Sequence, residues 1–306
     1  MSLTKLETSS SSSRDPFTPL DTPIKLGSRN LSVDQLVDKL SELPISDSSE
    51  VLTEPIFTQK YLNFLNKKLK SLPLDKFLEW VAVSLPNVVQ VTSFGPSGMV
   101  VLHHLAKLGI RIPTVFIDTL HHFDETITHA KAAARRYDID LRVYRCQFAH
   151  TEQEFHQLTN AKELWKTDPL NYDQLVKVEP LERALNELNV TAWITGRRRS
   201  QGDARSTLEL LEIDPVDLRL KINPLAHWTY EEIWREIVKK NILYNPLHDE
   251  GYKSVGDKYT TRAVGDQDSE RSGRFVQHQG KTECGIHNRP RRKRGPSPDT
   301  NPISID

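Results

Sequence analysis

Apolar positions along the chain follow two periods, and the change between them divides the sequence. Over residues 31–43, Leu and Val recur at helical spacing, and residues 55–72 and 75–84 carry two more helical patterns, the last with Asp75 placed to cap it. From Val88 the pattern changes. Val88-Val89-Gln90-Val91-Thr92-Ser93 is a short β-branched run that predicts a strand, Phe94-Gly95-Pro96-Ser97-Gly98 a turn, and residues 99–107 an apolar helix. The alternation then repeats: strand 114–117, Ala-rich helix 124–137, strand 141–144, helices 152–158 and 172–188, strand 191–195. Thr229-Tyr230-Glu231-Glu232 is a capping box that opens a helix running to Lys240. Strands alternating with helices predict βαβ units, hence an α/β fold with a mainly parallel sheet flanked by helices.

The two ends read differently. Six of the first 13 residues are Ser, and Pro16, Pro19 and Pro23 interrupt any helix, so residues 1–30 are expected to be a disordered tail. Residues 31–240 form the α/β domain. Residues 241–288, rich in Gly, Asn, Asp and Tyr, are expected to be loop and short helices belonging to the same domain. Residues 289–306 carry Arg291-Arg292-Lys293-Arg294 followed by Pro296 and Pro298, a basic and solvated tail. There is no internal repeat.

Composition narrows the partners. Lys plus Arg and Asp plus Glu are 41 each in 306 residues, so no overall charge favours nucleic acid or a membrane, and any anion site must be a local cluster of cations. No apolar run reaches the roughly 18 residues of a membrane span, and residues 1–30 contain no signal-type apolar stretch. The only cysteines are Cys146 and Cys284. They allow at most one internal disulfide and cannot supply a Cys-ligated zinc or iron–sulfur site within one chain. A reducing cytoplasm is the expected setting.

In an open parallel sheet, ligands bind beyond the carboxyl ends of the strands, and three strand ends here carry unusual polar groups. Ser93, Gly95, Ser97 and Gly98 follow the first strand. Glycines that admit an anion, hydroxyl donors and a helix N-terminus make a phosphate-type loop, although the same residues also make an ordinary βα turn. The loop lacks the Lys of a P-loop and the spacing of a dinucleotide fingerprint. Asp118 and Thr119 end the second strand, ahead of His121, His122 and Asp124. They suit a ribose or base edge, or simply strand termination and a helix cap. Adjacent His121 and His122 rarely share one ion, so no metal site is expected. After the fourth strand, Gly196-Arg197-Arg198-Arg199-Ser200-Gln201-Gly202-Asp203-Ala204-Arg205 places four Arg within nine residues. Guanidinium forks match phosphate or sulfate oxygens, and the alternative is a solvated basic loop. Lys177, Arg271 and Arg274 add further cations.

Near the end stands Lys281-Thr282-Glu283-Cys284-Gly285-Ile286-His287. A thiol between Lys281 and His287 can be a nucleophile in its thiolate form, or an incidental surface Cys. Cys146 follows a strand and is expected to pack, with an intersubunit or regulatory disulfide as the alternative.

These segments, in this order and over residues 31–287, resemble the 3′-phosphoadenylyl sulfate (PAPS) reductases, thioredoxin-dependent enzymes of assimilatory sulfate reduction, and their fungal members most of all. Val176-Lys177-Val178-Glu179-Pro180, Asn223-Pro224-Leu225 with Trp228, and Tyr244-Asn245-Pro246-Leu247-His248 contribute to the match. The resemblance implies a Rossmann-like adenine nucleotide α-hydrolase fold and a homodimer. It implies Cys284 as nucleophile and Ser93 to Gly98 as the loop for nucleotide phosphate and sulfate. Lys177, an Arg of the group Arg197, Arg198 and Arg199 with the roles within the triplet left open, Arg271 and Arg274 would surround the anionic groups, with Asp118, Thr119, Gln201 and His287 completing the substrate site. It implies no bound cofactor: electrons come from thioredoxin or glutaredoxin, through a Cys284 S-sulfonate, releasing sulfite and adenosine 3′,5′-bisphosphate. Phe275 stands where the family often has Trp, and His227 where it often has Asp. Adenylyl sulfate (APS) reductases use two Cys pairs for a [4Fe–4S] cluster, and those cysteines are missing, which favours PAPS over APS. An ATP pyrophosphatase would need a Ser-Gly-Gly-x-Asp-Ser-type loop. A nucleic-acid or import-receptor role for residues 291–294 rests on a weaker motif. On this reading the Cys284 heptad is a mobile catalytic arm.

Overall fold

In this computed structural model, the residues described are 15–18, 31–42, 54–278, 280–287 and 289. The expectations for the rest of residues 1–30 and of 289–306 lie outside them. Three helices, α1 (Val33–Glu42), α2 (Gln59–Leu69) and α3 (Leu74–Ser84), precede the sheet. Then come β1 (Val88–Val91), α4 (Pro96–Lys107), β2 (Thr114–Ile117), α5 (Asp124–Tyr137), β3 (Leu141–Tyr144), α6 (Glu152–Thr159), α7 (Leu164–Thr167), α8 (Pro169–Asp173), α9 (Glu179–Glu187) and β4 (Ala192–Ile194). β5 (Leu211–Ile213), β6 (Leu220–Ile222) and α10 (Tyr230–Lys240) complete the order.

The strands form one six-stranded sheet in the order β3-β2-β1-β4-β6-β5, parallel except for β5, which runs antiparallel to β6. The inner strands β1, β2 and β4 are buried almost throughout, as a sheet covered on both faces requires. Alternate residues feed opposite layers. Val88, Phe116 and Ile194 join the core beneath α4, whereas Val89, Val115 and Trp193 pack against Leu181 and Leu185 of α9. A third cluster, with Leu36, Phe155, Trp165 and Tyr172, lies under α1, α6 and α8.

Several sequence expectations need correction. Asp75 does not cap α3, whose N-cap is Pro73; its carboxylate instead meets His104 and, at 2.9 Å, Lys107. α4 begins at Pro96, three residues early, because Pro is well suited to the first helical position. β5 and β6 were not foreseen. Each is three residues long with a charged centre, Glu212 against Lys221, too short for an alternation to register. Within the stretch expected to be disordered, residues 15–18 form a turn. Phe17 packs at a tilt against Phe116, ring centroids 5.6 Å apart, and Asp15 pairs with Lys131 at 2.8 Å.

The predicted helix over 172–188 is also interrupted. Pro180 has no N–H to offer the carbonyl four residues back, and its ring crowds that carbonyl. The chain answers with a π turn at Gln174–Val178, closed by the Glu179 N–H on the Gln174 carbonyl. Lys177 lies in this turn, buried and 2.8 Å from Asp173.

Candidate active site

The chain order reverses between β1 and β4: β2 and β3 lie to one side, β6 and β5 to the other. That switch point is where an open α/β sheet forms its crevice. A cleft of about 210 Å³ opens there. Ser93, Gly95, Ser97 and Gly98 line it from the loop after β1, Gly196, Arg197, Gln201 and Arg205 from the loop after β4, and Thr119 from β2. Lys177 enters from the π turn. Asp257, Arg271, Arg274, Cys284 and His287 enter from the C-terminal segment.

The loop after β1 is built for close approach. Phe94 takes a left-handed φ of +57° and buries its ring against Phe116 at 5.6 Å. A Cβ on Gly98 would lie 2.2 Å from Thr92 Oγ1, so only glycine lets α4 start here. Gln90 Nε2 donates to the Gly98 carbonyl at 2.8 Å and holds that start against the sheet.

Three residues expected in the site stand behind it or away from it. Asp118 accepts the Leu120 N–H at 3.0 Å and pairs with Arg145 at 2.9 Å, and it does not line the cleft. Arg198 is buried as a strut: its guanidinium donates to Ser97 Oγ at 2.8 Å and to both oxygens of Glu270 at 2.6 Å. Arg199 points to Glu209, 2.7 Å away at the exposed rim. In an Arg triplet on a loop, successive side chains diverge, so the three cannot converge on one ligand. Arg205, farther along, does reach the cleft.

The polar groups form two linked networks. Lys177 Nζ sits between Asp173 Oδ1 at 2.8 Å and Asp257 Oδ2 at 2.6 Å, and Thr119 Oγ1 donates to Asp257 Oδ1 at 2.7 Å. Burial opposes the charge on Lys177, yet Asp257, Asp173 and the Cys284 sulfur outweigh it and hold the ammonium above its ordinary range. Burial likewise opposes the Asp257 carboxylate, and Lys177 overrides it and keeps the group well below the usual carboxylate range. On the other side Glu283 takes the Arg205 fork, with Nη2 to Oε2 at 2.6 Å, and lies 3.8 Å from Arg271.

Arg271 and Arg274 are the under-neutralised cations. Arg271 donates to the Thr282 carbonyl at 2.6 Å. Arg274 donates to Ser254 Oγ at 3.3 Å and the Val255 carbonyl at 3.2 Å, while its Nε has no partner. Both guanidinium groups lie over the Phe275 ring, at 5.9 and 5.1 Å. Loss of water, then repulsion from Arg205 and Arg274, pushes Arg271 down to about 10; loss of water also lowers Arg274. An arriving anion would relieve both. His287 stacks flat on Trp193 at 5.6 Å and is held neutral by desolvation and by Arg197, Arg205, Lys221 and Arg289. It therefore adds no positive charge to the site.

The heptad is not a loose arm in this structure. Gly285 N–H donates to Asp173 Oδ2 at 3.0 Å, Lys281 Nζ sits 2.7 Å from the same oxygen, and Glu283 is buried. Arg289, assigned from sequence to the tail, is buried with its guanidinium between Asp214 and Asp217. Cys284 remains partly open to the cleft. Cys146 packs as expected: its thiol donates to the Ala149 carbonyl at 3.4 Å, and burial pushes it up to about 12. Asp257 and Glu270 were missed as site members, whereas Arg205 was read only as part of the Arg-rich loop. A Gly-Asp pair at Gly256-Asp257 and the acid of Glu270-Arg271 were the available signals, and neither has a spacing that distinguishes it from an ordinary loop.

A single accessible thiol facing a phosphate-type loop and guanidinium groups, at the switch point of a parallel sheet, defines an α/β nucleotide-site enzyme of the thiol-dependent class. The family model described as the phosphoadenosine phosphosulfate reductase domain matches residues 87–263. A phosphoadenosine phosphosulfate reductase of Emericella nidulans is 45% identical over 251 residues, 80% of this chain and 81% of that protein. An adenosine 5′-phosphosulfate reductase of Lysinibacillus sphaericus is 36% identical, over 78% of this chain and 100% of that protein. The crystal structure of the PAPS reductase of Candida auris in a phosphate complex superposes with a TM-score of 0.64 at 37% identity, covering 68% of this chain and all of that one. The chain belongs to the phosphoadenosine phosphosulfate reductase family.

Proposed function

We propose that this protein reduces PAPS to sulfite and adenosine 3′,5′-bisphosphate with electrons from thioredoxin or a related dithiol protein, in sulfate assimilation. The observation that carries the reading is the convergence of Cys284, Arg271 and Arg274 with the Ser93–Gly98 loop in one cleft. The Cys284 thiolate attacks the sulfuryl sulfur, and the S–O bond to the 5′-phosphate breaks. The bisphosphate leaves with that electron pair, and the enzyme holds Cys284 S-sulfonate. Arg271, Arg274 and the loop offset charge on the two fragments. A thioredoxin thiolate then attacks the Cys284 sulfur, expels sulfite and forms a mixed disulfide. The second thioredoxin thiol resolves it and restores Cys284. Both electrons thus come from the partner dithiol.

Arg197 and Arg205, the members of the Arg-rich loop that reach the cleft, are the candidates for the 3′-phosphate. The scheme uses no iron–sulfur cluster, because both electrons come from the partner dithiol, and two cysteines would not supply the four ligands a cluster takes. A homodimer and a reducing, cytoplasmic setting complete the proposal. Among the described residues no helix is long and apolar enough to cross a membrane.

The test is intact mass after incubation without reductant, with PAPS and separately with APS. A sulfonate adduct on Cys284 that forms with PAPS, not with APS, and vanishes with sulfite release when thioredoxin is added is the expected result. An adduct formed equally from APS would remove the 3′-phosphate preference. Near-normal activity of Cys284→Ser would overturn the scheme.

A further inference from the structure

Outside the cleft, the segment after β2 places His121 in a box of aromatic rings. The residue is fully buried, and Phe155, Trp165, Tyr172 and Tyr259 have ring centroids 5.2, 5.4, 5.3 and 6.1 Å away. Its Nδ1 lies 2.6 Å from the Thr119 carbonyl oxygen. A carbonyl can only accept, so Nδ1 carries the proton and Nε2 keeps its lone pair. That Nε2 lies 3.4 Å from Nε2 of His156 on α6. Glu152, one helical turn earlier, brings Oε1 to 4.0 Å from His156 Nε2. One donor atom from each of the three falls within 4.8 Å of the others.

The separation has a chemical meaning. Two ring nitrogens bound to one tetrahedral ion at about 2.0–2.1 Å stand about 3.4 Å apart. We infer that His121, His156 and Glu152 form a binding site for a divalent transition-metal ion of the zinc type. Two imidazoles and a carboxylate favour such an ion over calcium or magnesium. The outer contacts are those a ligand set requires. The Thr119 carbonyl orients His121, while Lys258 Nζ at 2.7 Å and the Tyr259 hydroxyl at 2.5 Å hold the two oxygens of Glu152. A surface groove lined by His156, Glu152, Asn160 and Tyr259 leaves the fourth position open to water. His122 takes no part; its Nε2 faces the Ile117 carbonyl at 3.0 Å. The partner of His121 comes instead from a helix distant in sequence. Lys258 N–H donates to the His121 carbonyl at 2.8 Å, so an ion here braces the loop that carries Asp257 into the cleft.

Cobalt(II) tests the site. Untagged full-length protein carrying Cys284→Ser, so that the thiol cannot compete, is stripped with chelator and titrated with Co²⁺. The expected result is one Co²⁺ per chain with the visible bands of a four-coordinate N/O site, displaced by Zn²⁺, and a higher melting temperature with either ion. His156→Ala should lose the bands and the shift while its metal-free melting temperature stays at the parent value. In the Cys284 background, the same substitution should leave metal-free sulfite release unchanged. Failure of the parent to bind one Co²⁺ per chain, or equal binding by His156→Ala, would overturn the site and leave the proposed reduction of PAPS untouched.

Discussion

Asp173 holds Gly285 by the backbone, Oδ2 to N–H at 3.0 Å, and so fixes the residue that follows Cys284. The contact exists because Gly285 has no side chain. A Cβ there would lie 2.8 Å from Val178 Cγ2 and 3.1 Å from Asp173 Cβ. Gly285→Ala should therefore shift the thiol by a few tenths of an ångström or more. Displacement of a reacting atom on the ångström scale costs rates on the order of a hundredfold. We expect kcat/KM for PAPS to fall by about 10–100-fold with little change in melting temperature, measured as sulfite release and by calorimetry.

Lys177 is the shared cation of two buried carboxylates, at 2.8 and 2.6 Å. Lys177→Met leaves Asp257 buried without its cation, and breaking a buried pair from one side costs about 3–5 kcal/mol. Denaturant unfolding should show a loss of that order. Adding Asp257→Asn to the Met variant should restore part of the stability while activity stays low. A double variant no more stable than the single one would mean that the ion pair is not what holds this turn.

Arg274 meets only neutral oxygens and leaves its Nε unpartnered, so part of its fork is free for an anion. Arg274→Lys keeps the charge and loses the fork and the guanidinium's contact with the Phe275 ring, 5.1 Å from its centroid. A hydrogen bond to a charged group is worth about 1.5–3 kcal/mol. The expected effect is a rise in KM, or in the Kd of adenosine 3′,5′-bisphosphate by calorimetry, of about tenfold or more.

Buried histidines set the acid limit of stability. Desolvation lowers His129 to about 4, and it also lowers His248 and His287. A group whose folded value lies below its unfolded value of about 6.5 stabilises the fold at high pH. Between pH 6.5 and 4 the unfolded chain binds more protons, so stability should fall steadily as pH drops through that window. For His129 the full span is about 3 kcal/mol as an upper figure. His129→Leu should flatten the slope of unfolding free energy against pH between 6.5 and 4, read from denaturant melts at a series of pH values.

The inner sheet was legible because its strands are short, β-branched and mostly apolar runs, Val88–Val91 and Thr114–Ile117 among them, and burial on both faces leaves that mark. The turn after β1 was legible because its glycines and hydroxyl groups stand at a strand end, ahead of an apolar helix, and the structure places them on the cleft. Arg198 and Arg199 misled for a physical reason. A cation-rich loop is equally the mark of a ligand site and of struts holding one, and only the partners, Glu270 and Glu209, separate the two. The π turn was hidden because it is a single turn flanked by α-helix on both sides, and Pro180 was the local signal of the change. Docking of the heptad was hidden too, since its anchors Asp173 and Arg205, like Asp214 and Asp217 that hold Arg289 just beyond it, lie far away in sequence.

Those anchors bear on how Cys284 meets a protein partner. One clasp, Glu283 on Arg205, borders the cleft, which Arg205 also lines. The other, Arg289 on Asp214 and Asp217, is sunk beside Lys221 of β6, and none of its members lines the cleft. With Asp173 also holding Lys281 and Gly285, the segment is pinned on both sides of Cys284, so the thiol is presented at the mouth of the cleft and, on the proposed function, that mouth is where a reductant would have to dock.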